Sequence, residues 1–214
     1  SQGSKILEGL IHIPLFGVLW FLWFLTILLP AFLLYVAIAN LVGWRSVPRR
    51  FLLSPWGLGV MVVATLVPQW FMGVQGLGFG PDTSMGIVPM PHVYLYYLIF
   101  FLFGALYYDC GDSEARLGHG WRWTLPISLL VLLPLGLEFT TGRFGFRETL
   151  LPATWHHAAS VGLQALYTWA MALGSMGLFH HLMRRENPKV RYVSDSAYWL
   201  YLGHLPLVLA LQLL

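Results

Sequence analysis

Hydrophobic positions in this chain run on rather than alternate. Six stretches stay mostly apolar for about 18 residues or more, the length at which a helix crosses the hydrocarbon of a bilayer. They cover roughly Gly17 to Val42, Pro55 to Val74, Pro91 to Tyr108, Trp123 to Thr140, His156 to Phe179 and Ala197 to Leu214. The pattern predicts an all-α protein, a polytopic transmembrane helical bundle of about six spanning helices. Pro30 is expected to kink the first span, and Pro126 and Pro134 fall inside the fourth. No internal repeat or low-complexity linker divides the chain, so residues 1–214 read as a single integral-membrane domain.

The polar positions between the spans set the orientation. Loops after spans one, three and five hold Arg45, Arg49, Arg50, then Arg116, Arg122, then Arg184, Arg185, Lys189, Arg191; the other side holds Lys5, Arg143 and Arg147. Basic residues gather on the cytoplasmic side, so the odd loops are assigned there and both chain ends outside. The outer loops are then 75–90 and 141–155.

Composition changes this picture little. Charged residues make up 10% of the chain and apolar ones 57%, against the roughly 25% charged of a soluble domain. The net charge of +3 comes from loops and not from a basic face, which excludes nucleic acid as an expected partner and leaves the lipid bilayer. One cysteine, Cys110, rules out an internal disulfide and offers no metal-ligand spacing. The chain opens on SQGSK without an initiator Met and stops inside an apolar run, so it is expected to be a piece of a longer protein.

Candidate chemistry concentrates in a few places. In the last stretch, Ser194, Asp195 and Ser196 can cap a helix start, followed by the boundary aromatics Tyr198, Trp199 and Tyr201. His204 shares a helical face with Tyr201, and Pro206 removes the helical partner of the Leu202 carbonyl beside it. A histidine at membrane depth is either a site residue or held by a neighbouring helix. Glu138, late in span four, is a functional carboxylate or the acidic half of an ion pair with Arg143 or Arg147. Arg45, Arg49 and Arg50 could hold phosphates, although topology alone accounts for them. The adjacent pairs His156–His157 and His180–His181 point about 100° apart on a helix, so no metal is expected. Glycines 73, 76, 78 and 80 lack the strand and the Gly-Lys-Ser/Thr of a phosphate loop and read as turn-formers.

Four segments resemble a known family: LWFLWFL at 19–25, FGPDT at 79–83, YYLIFFLFGALYY at 96–108 and RYVSDSAYWLYLGHLPLV at 191–208. They are similar to acyltransferase family 3, nearest its branch of periplasmic-glucan succinyltransferases. The resemblance implies a bacterial inner-membrane O-acyltransferase of roughly ten helices, moving an acetyl- or succinyl-type group from acyl-CoA to a carbohydrate hydroxyl. This chain would hold about helices four to nine, without the first helices or the last. His204 and Tyr201 match the family's C-terminal pattern; its catalytic histidine and arginine motif would precede Ser1, and Val18 stands where relatives carry a histidine. The expectation is an enzyme whose present chain is inactive alone, with His204, Tyr201 and Glu138 as catalytic candidates and Arg45, Arg49 and Arg50 on the acyl-CoA. No tightly bound cofactor is expected. The alternative is a polytopic transporter or glycolipid flippase without covalent chemistry, which explains proline-broken helices and isolated intramembrane polar residues equally well. A haem-carrying redox protein is a third, weaker option.

Overall fold

Ser54 shows how the sequence starts a helix in this protein. Its hydroxyl accepts the Gly57 amide at 3.1 Å and donates to the Phe51 carbonyl at 2.6 Å. Pro55 follows at the first helical position, where its missing N–H costs nothing. The structure, a computed structural model, describes residues 20–43, 49–73, 78–84, 86–183, 191–197 and 203.

Within these residues the elements are α1 (Trp20–Val42), a short α2 (Arg49–Leu52), α3 (Pro55–Trp70), α4 (Pro91–Asp109), α5 (Trp121–Ile127), α6 (Leu133–Thr141), a short α7 (Arg147–Leu150) and α8 (His156–Leu182). No strand occurs among them. Helices α5 and α6 are one span interrupted by a π-turn over Ser128–Leu132. Pro134 has no N–H to return to the preceding turn, and the Leu133 amide instead reaches back five residues to the Ser128 carbonyl.

Among the described residues, three spans are long and apolar enough to cross a membrane: Trp20–Val42, Pro91–Asp109 and Trp121–Thr141. At 1.5 Å per residue, the 23 residues of α1 reach about 34 Å, which exceeds the hydrocarbon thickness of about 30 Å. Only Phe24 and Leu28 of α1 are buried, so most of its surface is left for lipid. The 16 residues of α3 are shorter than a full span, and the 27 of α8 are longer. The chain is therefore an all-α integral membrane protein. Its first five expected spans begin within three residues of observed helices.

Helix α8 is the element against which α3, α5 and α6 pack. The approach is closest where Gly177 meets Gly118, because a Cβ on either glycine would run into the other's backbone. Away from that contact, Phe24, Met72, Val93 and Tyr96 join α1 to α4, and Leu52, Phe103 and Trp169 join α4 to α8. The Trp169 indole donates to Thr65 Oγ1 at 3.0 Å, so this ring is also oriented by a hydrogen bond inside the bundle.

The sixth expected span lies almost wholly outside the described residues. One part of it is corrected. Residues 191–197 are already helical, so Ser194, Asp195 and Ser196 lie inside a helix and do not cap one. The Ser196 hydroxyl donates to the Tyr192 carbonyl at 2.7 Å, the back-bonding a helical serine makes when it has no cap to form.

Candidate binding site

Helix α8 presents Ser160, Gln164 and Thr168 at intervals of four residues, which places them on one face. Opposite them stand Gln69 near the end of α3, Thr140 near the end of α6 and Tyr96 in α4. Segment 78–84 comes in over this end of the bundle, with Gly80 at φ +116°, a conformation that side chains rarely permit. Between these elements is a cavity of about 260 Å³, lined by Gln69, Met72, Phe139, Thr140, Ser160 and Gln164, with His157 and Gly80 at its edge.

The hydrogen bonds around it have a fixed direction. The Gly80 amide can only donate, and it reaches Gln164 Oε1 at 2.9 Å. That oxygen is also 3.1 Å from Gln69 Nε2, which must therefore be the amide nitrogen of Gln69. Gln164 Nε2 donates to Ser160 Oγ at 2.9 Å and to Thr140 Oγ1 at 3.3 Å. The two hydroxyls lie 2.6 Å apart, and Thr140 passes its own proton to the Gly136 carbonyl at 2.7 Å. What remains is Gln69 Oε1, an acceptor with no donor, on a residue 2% exposed. A buried polar atom left without a partner costs about 1–3 kcal/mol. Gln69 is one of the residues that line the cavity, so this unsatisfied acceptor lies in its wall. The polar line continues inward: Thr168 donates to the Gln164 carbonyl at 2.9 Å, and the Tyr96 hydroxyl to Thr168 at 3.3 Å.

The residues singled out from sequence fall elsewhere. Glu138 is fully buried, but its carboxylate accepts the backbone amides of Phe144 at 2.6 Å and Arg147 at 2.7 Å. It ties the loop after α6 to the helix end, and the ion pair with an Arg143 or Arg147 guanidinium is not formed. The backbone amides satisfy the carboxylate instead. Arg49 lies 3.6 Å from Asp112, a carboxylate whose side chain has no exposure and which also accepts from Tyr107 and from the Arg116 amide. Arg49 thus joins α2 to the loop after α4, while Arg50 lies exposed in the same short helix. Arg45, Tyr201 and His204 lie outside the described residues. His156 and His157 each face a backbone carbonyl, of Leu151 at 2.9 Å and of Trp70 at 3.1 Å. Trp23 donates to the Ile87 carbonyl at 2.9 Å and fastens α1 to the loop before α4.

Sequence reasoning passed over Gln69, Gln164 and Ser160, and met Thr140 only as the end of a span. The available signal was the Ser-x₃-Gln-x₃-Thr spacing inside an apolar helix, since polar residues at membrane depth mark function or interhelical bonds.

A half-open cavity of mixed polar and apolar lining, at one end of a helical bundle, defines an integral membrane protein with room for a small ligand. No model of a known protein family matches the chain, and no solved structure matches it. Two curated bacterial proteins are similar to it. The chain is 31% identical over 153 residues to the probable multidrug resistance protein NorM of Xanthomonas axonopodis pv. citri (strain 306), an overlap covering 63% of this chain and 28% of that protein. It is 29% identical over 189 residues to the probable multidrug resistance protein NorM of Xanthomonas campestris pv. campestris, covering 76% of this chain and 37% of that one. Each match thus spans 37% or less of the relative's own length. These relatives and the spanning helices place the chain in the bacterial inner membrane.

This overturns the resemblance to acyltransferase family 3 and the enzyme reading built on it. Of the four segments that carried it, the aromatic and Gly-Pro ones suit many lipid-facing helices and turns and discriminate poorly between membrane families, and most of the one at 191–208 lies outside the described residues. Acyl-CoA and a carbohydrate acceptor have no further support as partners.

Proposed function

We propose that the chain is part of a polytopic transporter that moves small organic compounds across the inner membrane without changing them covalently. The observation that carries this reading is the cavity between three helix ends, with Gln69, whose Oε1 has no partner, in its wall. Similarity to two proteins named for multidrug resistance supplies the class of cargo. The cavity lining is mixed: Phe139, Met72 and Val161 offer apolar surface, while Gln69, Gln164, Ser160 and Thr140 offer hydrogen bonds. Among the described residues no carboxylate or guanidinium lines it, so it suits an amphipathic compound recognised by dipoles and shape.

The test is drug accumulation in a bacterium stripped of its own efflux pumps and expressing the full-length protein. A dye such as ethidium should accumulate several-fold less than in cells carrying empty vector. Gln69→Leu, which removes the free acceptor and orphans no other group, should return accumulation toward the control at equal expression. Accumulation equal to empty vector for every one of a panel of cationic and neutral dyes would overturn the transporter reading.

A further inference from the structure

At the other end of α8, His180 and His181 meet Trp121 and Arg122 at the start of α5 and His119 from the loop before it. Together with Ser113 they line an open bowl of about 870 Å³. The Gly118–Gly177 contact holds the two walls together, and the glycines allow the loop to sit directly on the helix. The Trp121 ring lies 5.5 Å from that of His181, and the Arg122 guanidinium stands 5.6 Å above the Trp121 ring.

The charges are unequal. Glu114, on the rim, is 3.2 Å from Arg116, and Asp112 is engaged by Arg49 and Arg116. Arg122 has no carboxylate partner among the described residues and keeps its charge for the bowl. Around it are imidazole, indole and hydroxyl groups, which offer N–H and O–H donors from several directions. A guanidinium with donors on more than one side fits a tetrahedral oxyanion better than a planar carboxylate. The bowl lies at the arginine-rich end of the bundle, assigned to the cytoplasm, where basic pockets between spanning helices receive anionic headgroups.

We propose that this bowl binds a phosphate group, with Arg122 as the charged contact and His119, His180, His181 and Trp121 as the surrounding donors. The phosphate belongs either to an anionic lipid or to a free phosphate compound. The site is separate from the transport cavity and does not depend on the transporter reading.

The full-length protein in neutral detergent would be tested in two arms. One titrates inorganic phosphate and follows its phosphorus resonance. The other reconstitutes the protein into phosphatidylcholine vesicles with and without phosphatidylglycerol, then counts retained lipid by native mass spectrometry. Binding in the first arm identifies a free phosphate compound, and retention confined to phosphatidylglycerol identifies a lipid. In whichever arm binds, Arg122→Glu should weaken binding at least about tenfold, the loss of one charge-assisted hydrogen bond and its replacement by repulsion. Arg122→Lys should fall between the two. Should Arg122→Glu elute as aggregate, Arg122→Gln, which removes the charge without adding repulsion, takes its place with a several-fold loss expected. Binding in neither arm, or binding unchanged by the variants, would overturn the proposal.

Discussion

Gln164 Oε1 accepts from the Gly80 amide and from Gln69, while its Nε2 serves Ser160 and Thr140, so one side chain organises four partners. Gln69 is its asymmetric neighbour, giving one bond and holding one acceptor empty. Their leucine variants should therefore differ. Gln164→Leu strands the Gly80 amide and the Gln69 amide and should cost about 2 kcal/mol or more. Gln69→Leu strands nothing and should lie within about 1 kcal/mol of the parent. Thermal unfolding of the two variants in one detergent makes the comparison, and equal losses would show that the hydrogen bonds do not run in the direction derived above. Glu138 makes a second residue-level case. Glu138→Gln keeps one acceptor and turns an NH₂ toward a backbone N–H, so the loop over 142–147 should loosen. Limited proteolysis should cut there faster than in the parent, by roughly tenfold if one charge-assisted bond of about 1.5 kcal/mol is lost. An unchanged cleavage rate would remove Glu138 from its role as the tie of that loop.

Between elements, the contact of α8 with the loop before α5 rests on the Gly118–Gly177 pair. Gly177→Ala puts a methyl group into backbone that cannot give way, and should cost about 1–3 kcal/mol. Gly162→Ala, in the same helix but with nothing within 4 Å of the new Cβ, should raise stability by about 0.5–1 kcal/mol through helix propensity. Opposite signs in one melting experiment are the expected outcome; matching signs would place the helix contact elsewhere. The spans themselves were legible in the sequence because lipid imposes an apolar surface whatever a helix packs against. Pro55 and Pro91 fixed two helix starts for a local reason, since proline is tolerated at the first turn and nowhere deeper without loss. The cavity was not legible in the same way. Gln69 and Gln164 are 95 residues apart, and their pairing follows from how α3 meets α8. Glu138 was visible as an intramembrane carboxylate, but its partners are backbone amides, which carry no signature in a side-chain alphabet. The π-turn likewise needed the whole span, although Pro134 marked where to look.

At the scale of the molecule, two ends of the bundle differ in kind. One brings Arg49, Asp112 and Arg116 together and carries the basic bowl; the other carries the uncharged cavity under segment 78–84. The count of arginines and lysines assigns the first to the cytoplasm. Thr83→Cys, in a background where Cys110 is serine, should react with an impermeant thiol reagent outside intact cells, and Glu114→Cys should not. The reverse labelling would invert the orientation. The central claim is that compounds cross the membrane here without chemistry, and it is tested most directly with the purified full-length protein sealed into vesicles under an imposed proton or sodium gradient. The account predicts that a radiolabelled dye crosses only when a gradient is present, is recovered with unchanged mass, and crosses several-fold more slowly with Gln69→Leu. Recovery of a covalently altered compound, or passage equal to that of empty vesicles, would contradict it.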